Sequence, residues 1–524
     1  MQNLAEHRRE TAEKELGSTF VKRNVCIISL IIFSVVLLSV PICQFISEIQ
    51  RGKSPYVFSA VELLSEPKRE AIEKFEDALE EKSVLTNWLL PNVQTILTGS
   101  LRTGNEQAYL GRDGWLFYRA DIDSLIIDKS PILHEPRRAV YSNDALKAII
   151  DFKRQLAERN ITLIVMPTPV KPTIHPEKFS VRHQNPTAPV HNPIYAKFLE
   201  ALTSNGVSVY DPSGFLFEAA KENTQFLKTD THWKPEAMER VAKNLAAFIT
   251  ERVKFANAPT SAYTKTATEI TNLGDIAKML NLREFHSLFP PEHVTTSAIR
   301  TQSGEPWQPD RNAEILFLGD SFSNIYSLAG MGWGESAGFV EHLSTELSRP
   351  IDKIVINDGG ALATRQTLVQ APNRLAGKRV LVYQFATREL FSRNWKQLPI
   401  PPIQSTSEDK VAKPTPMDKE ITITASIKDK TDPPAPGSVP YSECIIALHL
   451  ENTKTLELPE ELVVFMWGMR ENRWTDAATF KIGQNVKLRL RPWDSVQADY
   501  GSYNRIELEN ENVWLLDVYW GEIP

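Results

Sequence analysis

Between residues 161 and 385 the chain returns several times to one pattern, a short continuous apolar run followed by a turn and a stretch with apolar residues at helical spacing. ITLIVM (161–166), VSVYD (207–211), EILFLGD (314–320), KIVIND (353–358) and RVLVYQF (379–385) are too short for stable helices. All but VSVYD are also too uniformly apolar for strands with one face in water. Runs of this kind belong to strands buried on both faces, and their alternation with helices predicts an α/β fold built on a largely parallel sheet flanked by helices. Ser142 can cap a helix running to about Arg159, with Leu146, Ile149, Ile150 and Leu156 inward, and a second helix is expected from Pro235 to Arg252. In open parallel sheets ligands bind beyond the carboxyl ends of the strands, so each loop that follows a strand is a candidate wall of a site.

At 524 residues the chain exceeds what one hydrophobic core sustains, and two or three folded units are expected. VCIISLIIFSVVLLSVPICQFI (25–46) carries no charge and is long enough for a helix across a bilayer core of roughly 30 Å. Arg8, Arg9, Lys14, Lys22 and Arg23 precede it, whereas only Arg51 and Lys53 follow closely. The positive-inside bias therefore puts residues 1–24 in the cytoplasm as a tail and everything after the span outside. A cleaved signal peptide is the competing reading, but the long polar leader, the length of the apolar run and the lack of an A-x-A site favour an uncleaved anchor. Cys43 follows bulky Ile42, which does not suit lipid attachment.

Beyond the span, residues 47–105 read as a helical lead-in, with EPKREAIEKFEDALEEKSVL (66–85) as a solvated amphipathic helix. Residues 106–396 hold the α/β domain, and within it 254–311 lack strong periodicity and read as an insertion or lid. The proline-rich stretch 397–416 is a linker. Alternating segments such as EITITASI, VKLRLRPW and VWLLDVYW make 417–524 a small C-terminal β domain. The balance of 59 basic against 65 acidic residues, net −6, excludes a dedicated nucleic-acid binder, which needs a basic face to neutralise phosphates. Cys26, Cys43 and Cys444 are too few for a disulfide framework, and no cysteine/histidine cluster has metal-ligand spacing. No metal and no cofactor is expected.

Two short motifs carry the chemistry. GDSFS (319–323) puts Ser321 at a strand-to-helix turn, where Gly319 lets the backbone bend and the hydroxyl can face a cleft; the same residues also suit a simple helix cap. A serine needs a base to take its proton and a group to orient that base. TDTHW (229–233) offers both, since Asp230 and His232 stand two residues apart and can present their side chains on one face of an extended loop, fixed by the helix starting at Lys234-Pro235. A capping aspartate beside a surface histidine is the competing reading of TDTHW. Taken together, both motifs fall at loop ends on one side of the sheet, which favours catalysis.

DGWLFY (113–118), PTPVKPTIHPE (167–177), TDTHW and GDSFS follow one another in an order that resembles the alginate O-acetyltransferases of the bacterial periplasm, over roughly residues 109–391. That family carries a permuted SGNH-hydrolase-like domain. The resemblance implies that Ser321 is acetylated and passes the acetyl group to a sugar hydroxyl, with His232 and Asp230 completing the triad. The chain order Asp, His, Ser differs from ordinary SGNH esterases, but triads are defined by geometry. It also implies a polysaccharide substrate, a single-pass protein of the bacterial inner membrane with its catalytic domain in the periplasm, and an integral membrane acyltransferase as acetyl donor.

Oxyanion donors are expected from the Ser321 N–H and from the loop Asn357-Asp358-Gly359-Gly360, above all Gly359 and Gly360. Gln384 is a third candidate, because QFATREL has no evident counterpart of the SGNH asparagine. Lys171 and Arg388 are candidate contacts for the substrate. Trp115 and Tyr118 read as packing residues, and Trp467, Trp474, Trp493, Trp514 and Trp520 as filling of a small β core rather than sugar platforms. Two other functions stay open at this point: a polysaccharide acetylesterase with the same triad, and a non-catalytic, anchored polysaccharide-binding or assembly protein.

Overall fold

A computed structural model describes residues 23–50, 83–126, 143–255, 261–283, 287–357, 360–391 and 395–402, and all of 420–524 except 435, 437–438, 440, 454–457, 502, 509–512 and 514–515. The helix expected at 66–85 and most of the expected linker lie outside the described residues, as do Ser142, Gly359 and Trp514. The residues fall into two units, Met1–Val93 and Gln94–Pro524. In the first, the expected span lies within a continuous helix, Arg23–Gln50, the only one among the described residues long and apolar enough to cross a membrane. Its apolar side chains are exposed along its length, as a lipid-facing helix requires.

In the second unit the strands in chain order are β1 (Ala108–Leu110), β2 (Leu116–Tyr118), β3 (Thr162–Thr168), β4 (Ser208–Val209), β5 (Tyr263–Asn272), β6 (Glu292–Thr301), β7 (Ile315–Gly319), β8 (Asp352–Val355) and β9 (Val380–Ala386). Five of them form a sheet in the order β4-β3-β9-β7-β8, parallel throughout. The period of two sorts each strand between two cores. Ile164, Met166, Ile315, Phe317, Val380 and Val382 face one, under the helices Pro235–Arg252 and Phe339–Leu347. Leu163, Val165, Leu316, Leu318, Leu381 and Tyr383 face the other, under the helices Asn143–Ala157, Tyr195–Ser204 and Gly360–Gln370. Ala145, Ala148, Ile149, Phe152 and Leu156 form the buried stripe of Asn143–Ala157, so Leu146 and Ile150 sit at its margins rather than at its centre.

Two expected elements differ. The run 207–211 yields only two strand residues, because Asp211 leaves the ladder to accept hydrogen bonds from the Tyr195 hydroxyl (3.0 Å) and the Ser213 N–H (2.9 Å) at the next helix. The stretch 254–311 is an antiparallel hairpin, β5 with β6 in register over their full length, enclosing the helix Asp275–Met279.

The C-terminal strands are β10 (Ile421–Lys430), β11 (Cys444–Glu451), β12 (Leu462–Arg470), β13 (Arg473–Trp474), β14 (Asn485–Pro492) and β15 (Val518–Glu522). Their order β11-β10-β14-β15-β12-β13, with β11 also paired to β12, closes a barrel and so removes the exposed edges of an open sheet. Trp493 and Trp520 are buried in it, and Trp467 packs edge-on against Trp520, Tyr500 and Tyr503. These rings fill a core, as expected.

Candidate active site

The carboxyl ends of β3, β7 and β9 are buckled together by one side chain. Gln384 on β9 accepts hydrogen bonds from the Asp320 N–H and the Ser323 hydroxyl, both at 2.9 Å, and donates to Thr168 Oγ1 at 3.0 Å and Asp320 Oδ1 at 2.8 Å. Asp320 Oδ1 also accepts from the Phe322 N–H (2.9 Å), and Oδ2 from the Ala386 N–H (2.7 Å). The helix Ser321–Asn324 therefore starts from a rigid cap, and Ser321 stands on its first residue. Gly319 is needed here for space rather than for bending: a Cβ would lie 2.7 Å from the Phe317 ring and 2.9 Å from both Gln384 Oε1 and Ser323 Oγ. Gln384 itself is buried behind the turn and spent on these bonds, so it is a structural clasp and not a donor facing the cleft.

TDTHW is a tight excursion between Phe226 and Trp233, closed by Leu227 N–H to His232 O (3.0 Å) and Lys234 N–H to Gln225 O (2.8 Å). Trp233 is fully buried; its indole donates to Phe322 O at 3.1 Å, and its own carbonyl accepts from the Tyr326 hydroxyl at 2.6 Å. One side chain thus fixes the histidine loop against the serine helix. His232 Nε2 lies 2.9 Å from Ser321 Oγ, and Nδ1 lies 2.7 Å from Asp230 Oδ1. The remaining Asp230 oxygen accepts from the Trp333 indole N–H at 2.9 Å and the Asp275 N–H at 3.0 Å. Asp230, His232 and Ser321 are all buried.

The electrostatics follow from these contacts. Burial pushes the Asp230 carboxyl up, but the hydrogen bond and charge of His232, with the Asp275 and Trp333 donors, outweigh it and hold the group well below the usual carboxylate range. Burial pulls His232 down, and the Asp230 hydrogen bond and charge more than reverse this, so its pKa is raised. Asp275 is pushed up to about 6 by burial and by the neighbouring Asp230 charge. Its Oδ2 is 3.6 Å from His232 Nδ1, and its Oδ1 accepts from the Thr231 N–H at 2.7 Å. Asp230, His232 and Asp275 are the only trio among the described residues close enough to share a metal ion. Both ring nitrogens of His232 are already committed to Asp230 and Ser321, and the cluster serves the imidazole.

Asp275 and Trp333 were not singled out from the sequence as site residues, and Asn357 was named only as part of the loop 357–360. The hairpin brings Asp275: Glu292 at the start of β6 accepts from the N–H groups of Lys228 (2.8 Å) and Thr229 (2.7 Å), and Ile276, Ala277 and Leu280 pack on Ala108 and Leu116 of the β1–β2 hairpin. The backbones come so close that a Cβ on Gly274 would lie 2.3 Å from the Thr229 carbonyl. Gly274→Ala is therefore expected to displace the Asp230–His232 loop. Turnover of an activated ester should fall about 100-fold, the cost of roughly 1 Å of misplacement, as measured by steady-state kinetics on the full chain.

Around Ser321 opens a cleft of about 320 Å³. Tyr118, Arg388, Asp275, Lys278 and Asn357 line it, and the barrel adds Val439, Tyr441 and Asn504. Tyr118 is thus a wall of the cleft, while Trp115 is core, as expected. Arg388 faces the cleft with its guanidinium 3.0 Å from fully buried Asp121 and over the Tyr118 ring. Lys171 does not reach the cleft. It is fully buried, donates to Leu116 O (2.7 Å) and Lys228 O (3.4 Å), and so ties β2 to the segment before TDTHW; burial pulls its pKa down to about 8. Gly360 begins the helix Gly360–Gln370, and Gly359 lies outside the described residues. In the same loop, Asn357 Oδ1 accepts from Asn324 Nδ2 (3.0 Å), and among the described residues its Nδ2 meets the weak acceptor Met331 Sδ (3.4 Å).

A family model described as "SGNH hydrolase-like domain, acetyltransferase AlgX" matches residues 108–387, more than half of the chain. A Pseudomonas aeruginosa protein named "Probable alginate O-acetylase AlgJ" is 26% identical over 292 residues, 55% of this chain and 71% of that protein. Its Pseudomonas fluorescens namesake is 26% identical over 226 residues, 42% of this chain and 54% of its own length. Among solved structures, the O-acetyltransferase domain of Pseudomonas putida AlgJ is 22% identical, with a TM-score of 0.43 over 55% of this chain and 93% of that one. Pseudomonas aeruginosa AlgX is 16% identical, with a TM-score of 0.42 over 68% and 76%. The parallel sheet and the motif-bearing segments all lie within the matched residues or at their margin, and the chain belongs to the AlgX family of SGNH hydrolase-like acetyltransferase domains.

Proposed function

We propose that this protein is a polysaccharide O-acetyltransferase that works through an acetyl-serine on Ser321. The observation that carries the reading is the unbroken line from Asp230 through His232 to Ser321 Oγ, at 2.7 and 2.9 Å, opening on a cleft. His232 Nε2 takes the Ser321 proton as Oγ attacks the acetyl carbonyl, and returns it to the departing donor group. An acceptor hydroxyl then enters, gives its proton to the same nitrogen and attacks the acetyl carbonyl, and as the acetyl group departs His232 returns the proton to Ser321 Oγ. Asp230 holds the imidazole with Nδ1 protonated and stabilises the imidazolium at each step. The Ser321 N–H and the Asn357 carboxamide are the oxyanion donors in this scheme, each contributing about 3 kcal/mol to the barrier reduction.

Alginate, the substrate in the names of the relatives, is the first acceptor to test. The helix Arg23–Gln50 serves as a single-pass inner-membrane anchor that leaves the catalytic domain in the periplasm. A membrane acyltransferase is the donor partner. The decisive assay incubates detergent-solubilised full-length protein with an activated acetyl ester and de-acetylated oligosaccharides. Acetylated sugar supports the transferase. Free acetate alone, at saturating acceptor, would make the protein an esterase.

A further inference from the structure

We infer that Asn504, on the C-terminal barrel, binds the acceptor sugar inside the catalytic cleft. This rests on the polysaccharide-acceptor reading above and adds where recognition resides. Asn504 is 3% exposed and lines the cleft with Ser321, yet neither Oδ1 nor Nδ2 has a hydrogen-bond partner among the described residues. A buried carboxamide left wholly unpaired is disfavoured in folding, and native chains seldom keep one without a use for it.

The backbone that carries it is fixed. The main-chain carbonyl of Asn504 accepts from the Ile445 N–H of β11 at 2.8 Å. Its neighbour Arg505 donates through Nη2 to Thr367 Oγ1 on the catalytic domain at 2.9 Å and through Nε to Glu507 at 2.6 Å. Arg505 is buried over the Phe465 and Trp493 rings, so the barrel is pinned to the catalytic domain one residue from Asn504. A carboxamide on a backbone held in this way offers two donors and an acceptor without charge. That set matches adjacent sugar hydroxyls, each of which gives and takes a hydrogen bond, and being uncharged it does not require a carboxylate on the sugar. A cleft of about 320 Å³ is in the range of small-ligand sites. The barrel thereby selects which hydroxyl-bearing unit is presented to Ser321.

The test uses full-length Ser321→Ala, which retains the cleft but not the chemistry, and the double variant Ser321→Ala/Asn504→Leu. Binding of de-acetylated uronate and neutral gluco-oligosaccharides is measured by calorimetry, and melting temperature by circular dichroism. At least a tenfold loss of affinity is expected in the double variant, with a melting temperature equal to or above that of Ser321→Ala, because leucine removes an unpaired polar group. Undiminished affinity would overturn the assignment of Asn504 alone. Lost affinity with a lowered melting temperature would make Asn504 structural. Failure of Ser321→Ala to bind any oligosaccharide would overturn the acceptor reading and this inference with it.

Discussion

Ser321→Ala is expected to cut ester turnover and acetyl transfer by roughly 10⁴- to 10⁶-fold, because triad members act as a unit and removal of the nucleophile alone forfeits nearly all of their effect. Ser323 cannot substitute. It is buried with its hydroxyl on Gln384 Oε1 at 2.9 Å, on the far side of the turn. Ser321 is itself small and its Oγ contact is the one with His232, so alanine should leave melting within a few degrees of the parent; kinetics and a melting curve on the same sample separate the two effects. Retention of turnover above about a hundredth of the parent rate would remove the serine from the mechanism.

Asp230→Asn is the second large expectation, a fall of roughly 10³- to 10⁴-fold in kcat, because the histidine is then held in the wrong tautomer. No orientation of the asparagine satisfies the site. One Asp230 oxygen receives His232 Nδ1–H and the His232 N–H, and the other receives Trp333 and Asp275 donors, so an NH₂ group must face a donor on either side. The pH profile carries the same signature. His232 works as a base only when neutral, and its pKa is raised, so kcat/KM of the parent should fall on the acid side with a midpoint above the ordinary histidine value of about 6.5. Removing the Asp230 charge takes away the largest raising influences and leaves burial pulling down against the weaker Asp275 charge, so the limb should move to lower pH in the variant. Asp275, freed from its neighbour's charge, ionises more readily and leaves one carboxylate 3.6 Å from Nδ1. Asp230→Asn/Asp275→Asn should therefore be slower still.

Much of the sheet and of the Asp230–His232–Ser321 grouping was legible in the chain because both are local signals. Strands β3, β7, β8 and β9 are continuous apolar runs, and the helix Pro235–Arg252 has the bounds that its proline and its stripe suggested. TDTHW and GDSFS each pack their chemistry into a few residues. The hairpin β5–β6 was missed because TKTATEIT is mostly exposed on both faces and shows no apolar alternation to read. With it went Asp275, whose place beside His232 depends on the close approach of Gly274 to Thr229. Trp333 reaches Asp230 across 103 residues of sequence, a contact that no spacing rule encodes. Lys171 and Gln384 sit in the right segments but face inward: a polar residue at or just past the carboxyl end of a strand can line the cleft or clasp the strand ends, and only the packing decides between them.

The central claim is that Ser321 carries the acetyl group. Full-length protein is mixed with an activated acetyl ester in the absence of acceptor, quenched in acid and digested, and the peptides are read by tandem mass spectrometry. One acetyl group on Ser321, lost when oligosaccharide acceptor is added and absent in His232→Ala, is the expected result. Turnover with no acetyl on Ser321 at any quench time, or an acetyl group that accumulates on another residue and is discharged by acceptor, would contradict it.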